Sequence, residues 1–403
     1  MPDGARSPLA RALPLLIAGQ IGLHAAMAGV RMAAPLQSLR EGHSAWSVGV
    51  LLALYAAAPV LLSLPAGRLA DRHGYHRPVI IATALSLGGA LLAVLSTFVG
   101  SPANFIVLGV SALLVGGGAN LGLITMQRTV GVAARDSDER VRLFSWVSIA
   151  PPLSNVVGPV TAGFLIDAGG FRAAYVLLAA LPLLTLWCAR RVPAEAPGGT
   201  LASRRAGAWT LLAAPGMARL LTINWLLSAC WDVHSFAVPV LGFQRGYSAS
   251  TIGLVLGSFT LSISVVRVFI PLWARYVREA TVLRVAMLGT GIVFALYPLA
   301  RSPLWMGACA MLLGLTLGTV QPMVMSTLHQ LTPEGRHGES IALRSMVMNA
   351  SSTAMPLLFG VAGTALGAAA LFWLMGGAVA SGSWLARRLP GADAARSADP
   401  APG

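Results

Sequence analysis

The sequence predicts an all-α membrane protein of twelve transmembrane helices, and three observations carry the prediction. First, 56% of its 403 residues are hydrophobic and only 10% are charged, with a mean hydropathy of +0.73; a soluble domain carries about 25% charged residues. Second, apolar windows of about 20 residues, the length that crosses a bilayer as a helix, recur along the whole chain. Third, the arginines avoid those windows and collect in alternate connections.

The spans fall at residues 12–36, 46–66, 78–99, 103–127, 143–167, 172–190, 219–241, 249–273, 281–300, 304–329, 340–364 and 367–386. The N-terminal run has basic residues (Arg6, Arg11) and an Ala26-Met27-Ala28 triplet, the outline of a signal peptide and its cleavage site. Its apolar stretch continues to about Leu36, which suits a spanning helix better. With the N-terminus in the cytoplasm, 22 arginines fall on the inner side and 4 on the outer side (Arg40, Arg172, Arg245, Arg301), leaving Arg31 and Arg267 inside spans. That asymmetry is the positive-inside rule. It places the chain in a cytoplasmic membrane of bacterial type, with both termini inside.

All 28 basic residues are arginine. Without lysine there is no P-loop and hence no ATPase motif. The net charge of +14 faces anionic lipid headgroups, so nucleic acid is not the expected partner. Cys188, Cys230 and Cys309 lie in apolar runs, where neither disulfides nor a metal cluster is expected. No cofactor is implied, and no H-E-x-x-H or G-x-S-x-G motif points to an enzyme.

The longest connection, 191–218, contains a Pro/Gly-rich linker and divides the spans six and six. The expected organisation is a six-helix bundle over 1–190, a cytoplasmic loop over 191–218, a second bundle over 219–388, and a disordered tail over 389–403 rich in Ala, Pro and Asp. Met32-Ala33-Ala34-Pro35-Leu36 and Phe236-Ala237-Val238-Pro239-Val240 echo one another near the ends of spans one and seven.

Spans two and three are joined by Gly67-Arg68-Leu69-Ala70-Asp71-Arg72-His73-Gly74-Tyr75-His76-Arg77. Read physically, this is a short cationic turn. Gly67 would let backbones pack closely, and Gly74 can take positive φ. Gly67, Leu69, Asp71, Arg72, Gly74 and Arg77 resemble in order the loop signature of the major facilitator superfamily, with His76 replacing a base. The resemblance implies two pseudo-symmetric six-helix bundles related by an axis along the membrane normal. It also implies a gating role for Asp71 at the start of span eleven, and a cavity lined by spans one, four, seven and ten. A second-half echo between spans eight and nine, Arg267 to Arg275, keeps bases but lacks the glycines and the acid.

Polar groups in lipid are costly, so their positions carry information. Span one places Gln20, His24, Met27 and Arg31 on one helical face, and span seven does the same with Asn224, Ser228, Asp232 and Ser235. Asn120, Gln127, Asn155, Gln321 and Asn349 are further cavity candidates. Trp225, Trp231, Phe236, Met27 and Met126 would supply adaptable apolar contacts. Asp232 is the one acid deep in a span. It is either a carboxylate that titrates, loading and releasing a proton, or a static ion-pair partner of Arg31.

Span five carries Gly158, Pro159 and Gly163, resembling the superfamily's helix-bending pattern frequent among antiporter-type exporters, although Ser154 and Ala162 stand where glycines are usual. Span four carries Gly116-Gly117-Gly118 but lacks the arginine common to proton-coupled drug exporters. The resemblance therefore implies a monomeric secondary transporter in the lipid bilayer that moves a small amphiphilic molecule by alternating access, with protons as the coupling ion and export favoured. Proton-symport uptake of a metabolite is the alternative.

Overall fold

A computed structural model describes residues 12–133, 143–144, 146–193, 208–273, 277–332 and 337–389. Twelve α-helices run through them: α1 (Leu13–Arg40), α2 (Ala45–His73), α3 (His76–Ser96), α4 (Ala103–Ala133), α5 (Ala150–Ala189), α6 (Met217–Gln244), α7 (Ala249–Trp273), α8 (Glu279–Leu296), α9 (Pro303–Gly318), α10 (Val320–Leu331), α11 (His337–Leu366) and α12 (Ala368–Arg387). Short 3₁₀ turns occupy Ala208–Ala213 and Tyr297–Leu299, and no strand occurs among the described residues.

Among the described residues, eleven segments are long and apolar enough to cross a membrane. One of them, α5, is 40 residues long and holds two spans joined at Gly170 (φ 75, ψ 180). That backbone state suits glycine, and it turns the chain in a single residue. The described residues thus hold twelve spans. Spans nine and ten differ in form: α8 ends in the 3₁₀ turn, and α9 and α10 together make one span, parted at Thr319.

The turn between spans two and three is much shorter than its sequence suggests. α2 stays helical to His73, so Gly67 to His73 are helix, and only Gly74 (φ 65) and Tyr75 separate it from α3. Charged residues continue a helix readily once it reaches water. Gly67 faces open space, with nothing within 4 Å of where a Cβ would stand, so close packing is not its role. The loop expected over 191–218 lies largely outside the described residues, as do the tail from 390 onward and the 333–336 connection.

The chain divides into two compact units, residues 1–202 with 242–257, and 203–241 with 258–403. In the first unit, α1 packs along α5, α3 against α4, and α2 against α4. Lipid offers helices no hydrophobic drive to associate, so close backbone approach through small residues does that work. A side chain at Gly158 of α5 would strike the Ala25 carbonyl of α1, and one at Gly116 of α4 would come within 2.5 Å of the Tyr55 carbonyl. Dihedrals stay helical through Pro159; the break in α5 is at Gly170. Gly158 therefore serves contact rather than curvature. At the end of this unit that carries Asp71, Leu16, Tyr75, Val79, Met126 and Val130 form a buried cluster. In the second unit α8 packs on α12 and α9, while Gly314 of α9 lies against the Phe259 carbonyl of α7. The outward helix faces carry large apolar groups such as Leu61, Ile106, Val268 and Leu304, as lipid contact requires.

The two halves repeat in register. α1 and α6 are each 28 residues long, and Pro35 and Pro239 occupy the same rung of their helices. The match continues without a gap. Gly42 and Gly246 both take positive φ, at 87° and 71°, and Ala45 and Ala249 begin the next helices. Along this register Gln20 corresponds to Asn224 and His24 to Ser228.

Candidate functional site

The polar faces of α1 and α6 are the most informative parts of the molecule. On α6, Asn224 and Asp232 are buried, at 1% and 5% exposure, and Ser228 is half-buried. Successive four-residue steps stack the three on one face. Asn224 Nδ2 and Ser228 Oγ both donate to the thioether of Met348 on α11, at 2.6 and 3.2 Å. Arg344 lies one turn before Met348 on the same helix and is half-buried. On α7, Arg267 donates through Nη2 to Gln321 Oε1 of α10, 2.9 Å away.

On α1, Gln20 is buried and donates to the Ala119 carbonyl of α4 at 3.3 Å, so it ties two helices together. His24, Met27 and Arg31 are half-buried along the same face. Asn120 on α4 donates to Ser63 of α2 at 3.3 Å. Asn155 and Trp225 are half-buried, whereas Gln127, Gln321 and Asn349 are exposed. Two apolar candidates are core residues instead: Met126 belongs to the buried cluster around Tyr75, and Phe236 is fully buried against Phe359. His234 is packed between the rings of Phe259 and Tyr297.

The gating motif gains a partner that sequence reasoning missed. Arg128 of α4 donates through Nε to Asp71 at 3.4 Å. Its position just past an apolar span, beside Gln127, was the available signal. Leu69 packs on Leu23, Ala66, Ala82 and Leu121; Arg72 and Arg77 are exposed. His76 Nε2 lies 3.0 Å from the Val192 carbonyl, tying the start of α3 to the end of α5.

At the opposite end of the first unit, Asp167 accepts from the backbone N–H groups of Ala249 and Ser250, at 3.0 and 2.8 Å. A carboxylate from α5 thus caps the N-terminus of α7, where the helix dipole favours negative charge. Gly163, one turn earlier, meets the Ala249 carbonyl. The same end holds a cleft of about 430 Å³ lined by Gln37, Arg40, Glu41, Thr97, Phe171 and Arg172 among others. Among the described residues no cluster of His, Cys, Asp or Glu could hold a metal ion.

Twelve spans in two repeated halves, with polar side chains stacked on helix faces inside the membrane, define a polytopic carrier. The family model of the Major Facilitator Superfamily matches residues 12–248 and 220–402. The chain belongs to the Major Facilitator Superfamily; it is a multi-pass membrane transporter and not an enzyme. It is 26% identical over 373 residues to the enterobactin exporter EntS of Salmonella typhi, covering 90% of this chain and 83% of that protein. It is also 26% identical over 338 residues to EntS of Escherichia coli O1:K1 / APEC, covering 82% and 78%. Among solved structures it resembles a POT family transporter in complex with a thioalcohol-conjugated peptide, with a TM-score of 0.75, 15% identity, and 93% and 95% of the two chains covered. The nucleoside transporter NupG gives 0.71, 14%, 94% and 99%. These structural likenesses concern the fold.

Proposed function

We propose that the protein exports a small amphiphilic molecule across the cytoplasmic membrane by alternating access, driven by protons entering in exchange. Both termini, and the end bearing Asp71, face the cytoplasm. The observation that carries this reading is the buried face of α6, where Asp232, at 5% exposure, continues the Asn224–Ser228 row. An ionisable group at that depth is costly unless it has a task. Titrating Asp232 as access alternates would exchange one proton per cycle. Outward direction is supported by the exporters to which 90% of the chain is similar, and the 22-to-4 arginine asymmetry supports the orientation. Asp71 acts as a gate residue that stabilises one closed state and does not touch the cargo.

The test is reconstitution. An imposed pH gradient should drive extrusion of a lipophilic dye such as Hoechst 33342 from proteoliposomes containing the wild type, and the Asp232→Asn protein should show only the leak of protein-free liposomes. Gradient-driven flux in that variant with an unchanged pH response would end the proton assignment.

A further inference from the structure

The next step rests on the transport reading and concerns the charge of the cargo. In the first unit, Arg31 Nε and His24 Nδ1 of α1 and Tyr55 Oη of α2 are all shielded from solvent and have no hydrogen-bond partner among the described residues. They are neighbours. His24 and Arg31 are seven residues apart on one helical face, and the Arg31 charge reaches both His24 and Tyr55. Tyr175 Oη of α5 lies near Tyr55 and is likewise unanswered.

None of the described acids of this unit answers them. Its described acids are Glu41, Asp71 and Asp167. Glu41 accepts from Gln37 and Asn104 at 2.9 and 2.6 Å. Asp71 is held by Arg128, and Asp167 by the start of α7. Buried donors in folded proteins almost always find acceptors, and a buried cation without a counter-charge is costlier still. The cluster is therefore built for something that supplies anionic oxygen.

The second unit supports this independently. Asn224 and Ser228 donate to a thioether, one of the weakest acceptors a protein has, so an incoming oxygen would be preferred. Arg267 and Arg344 each keep a buried Nε without a partner among the described residues. Glu279, at the start of α8, is already engaged, accepting from Ser326 and Gln330.

We infer that the cargo is an organic anion whose carboxylate, phenolate or phosphate oxygens are received by Arg31, with Tyr55 and His24 as donors beside it. The guanidinium supplies permanent charge and a planar fork. The two flanking groups fix orientation.

A matched pair of probes tests this on the purified full-length protein in detergent: 2-naphthoate and 2-naphthylmethylammonium, alike in shape and opposite in charge, with affinity measured by calorimetry. The naphthoate should bind at least about tenfold tighter than the ammonium, the factor that one charged hydrogen bond supplies. Arg31→Gln should weaken naphthoate binding by a similar factor, Arg31→Lys should retain most of it, and Tyr55→Phe should weaken it about threefold. A second readout has a sign of its own. Without ligand, Arg31→Gln removes a half-buried cation that no described acid of its unit answers and should raise the melting temperature by about 2 °C. If Arg31 instead serves as a static ion-pair partner, the same change lowers it. Tighter binding of the ammonium, absence of naphthoate binding at millimolar concentration, or a lowered melting temperature in Arg31→Gln would each overturn the assignment. Because binding is read without a gradient, loss of proton-driven flux with intact naphthoate binding would count against the coupling mechanism alone.

Discussion

The helices that open the two halves, α1 and α6, are the same length, carry proline on the same rung, and end in the same glycine turn. Their polar rungs also coincide, Gln20 with Asn224 and His24 with Ser228. Their charges do not. α6 adds Asp232 where α1 has Ala28, and α1 adds Arg31 where α6 has Ser235. The partners diverge too: Gln20 is spent on a backbone carbonyl of α4, whereas Asn224 rests on the thioether of Met348. A repeated scaffold has thus been given an acid on one side and a base on the other. The two helices share their scaffold and polar rungs and differ in charge.

Experiments can break this contrast or sharpen it. The largest effect is expected from Asp232→Asn, which makes α6 as free of acid as α1. Gradient-driven flux should fall to the leak rate, while counterflow exchange of cargo, which needs no net proton movement, should persist. Next comes the contact that seats α1. Gly158→Val forces a side chain into the Ala25 carbonyl and should cost about 1–3 kcal/mol of stability, as overpacking does, visible as a lower melting temperature. Gly67→Val points into open space and should change it little. A smaller effect is expected from Asn224→Ala, which removes a donor on the face of α6 that carries Asp232 and should raise the cargo KM by about three- to tenfold with kcat nearly kept. The smallest change in stability belongs to Asp71→Ala. Its bridge to Arg128 is long and Asp71 is 44% exposed, so the loss should stay within about 1 kcal/mol. If Asp71 gates the carrier as proposed, transport should nevertheless slow with cargo affinity intact, because a gate residue acts on exchange between states.

The spans were legible because the bilayer sets their length and hydropathy records it: Leu13, Ala103 and Ala249 all begin helices within a residue of the expected start or at it. Gly74 was legible because positive φ leaves few choices of residue. Other features have no local signal. Gly170 looks like any glycine pair member beside Gly169, yet it alone reverses the chain between two spans. The continuation of α2 to His73 was hidden by its charges, which in sequence look like loop. The sequence points to a degenerate echo of the signature loop after span eight, but the repeat in structure is not there. It lies one connection earlier, in Gly42-His43-Ser44-Ala45 and Gly246-Tyr247-Ser248-Ala249, where a turn and not a signature motif is repeated. Helical spacing put Gln20 and Asn224 on polar faces. It could not say that one would be answered by a carbonyl and the other by sulfur, because that depends on which helix comes alongside.

The sulfur gives that face a chemistry of its own. Oxidation of Met348 to the sulfoxide would turn a soft, reluctant acceptor into a hard S=O, held at once by the amide of Asn224 and the hydroxyl of Ser228. A rung that now releases its grip easily would become a clasp between α6 and α11. The hold of α6 on α11 would then depend on the oxidation state of a single methionine.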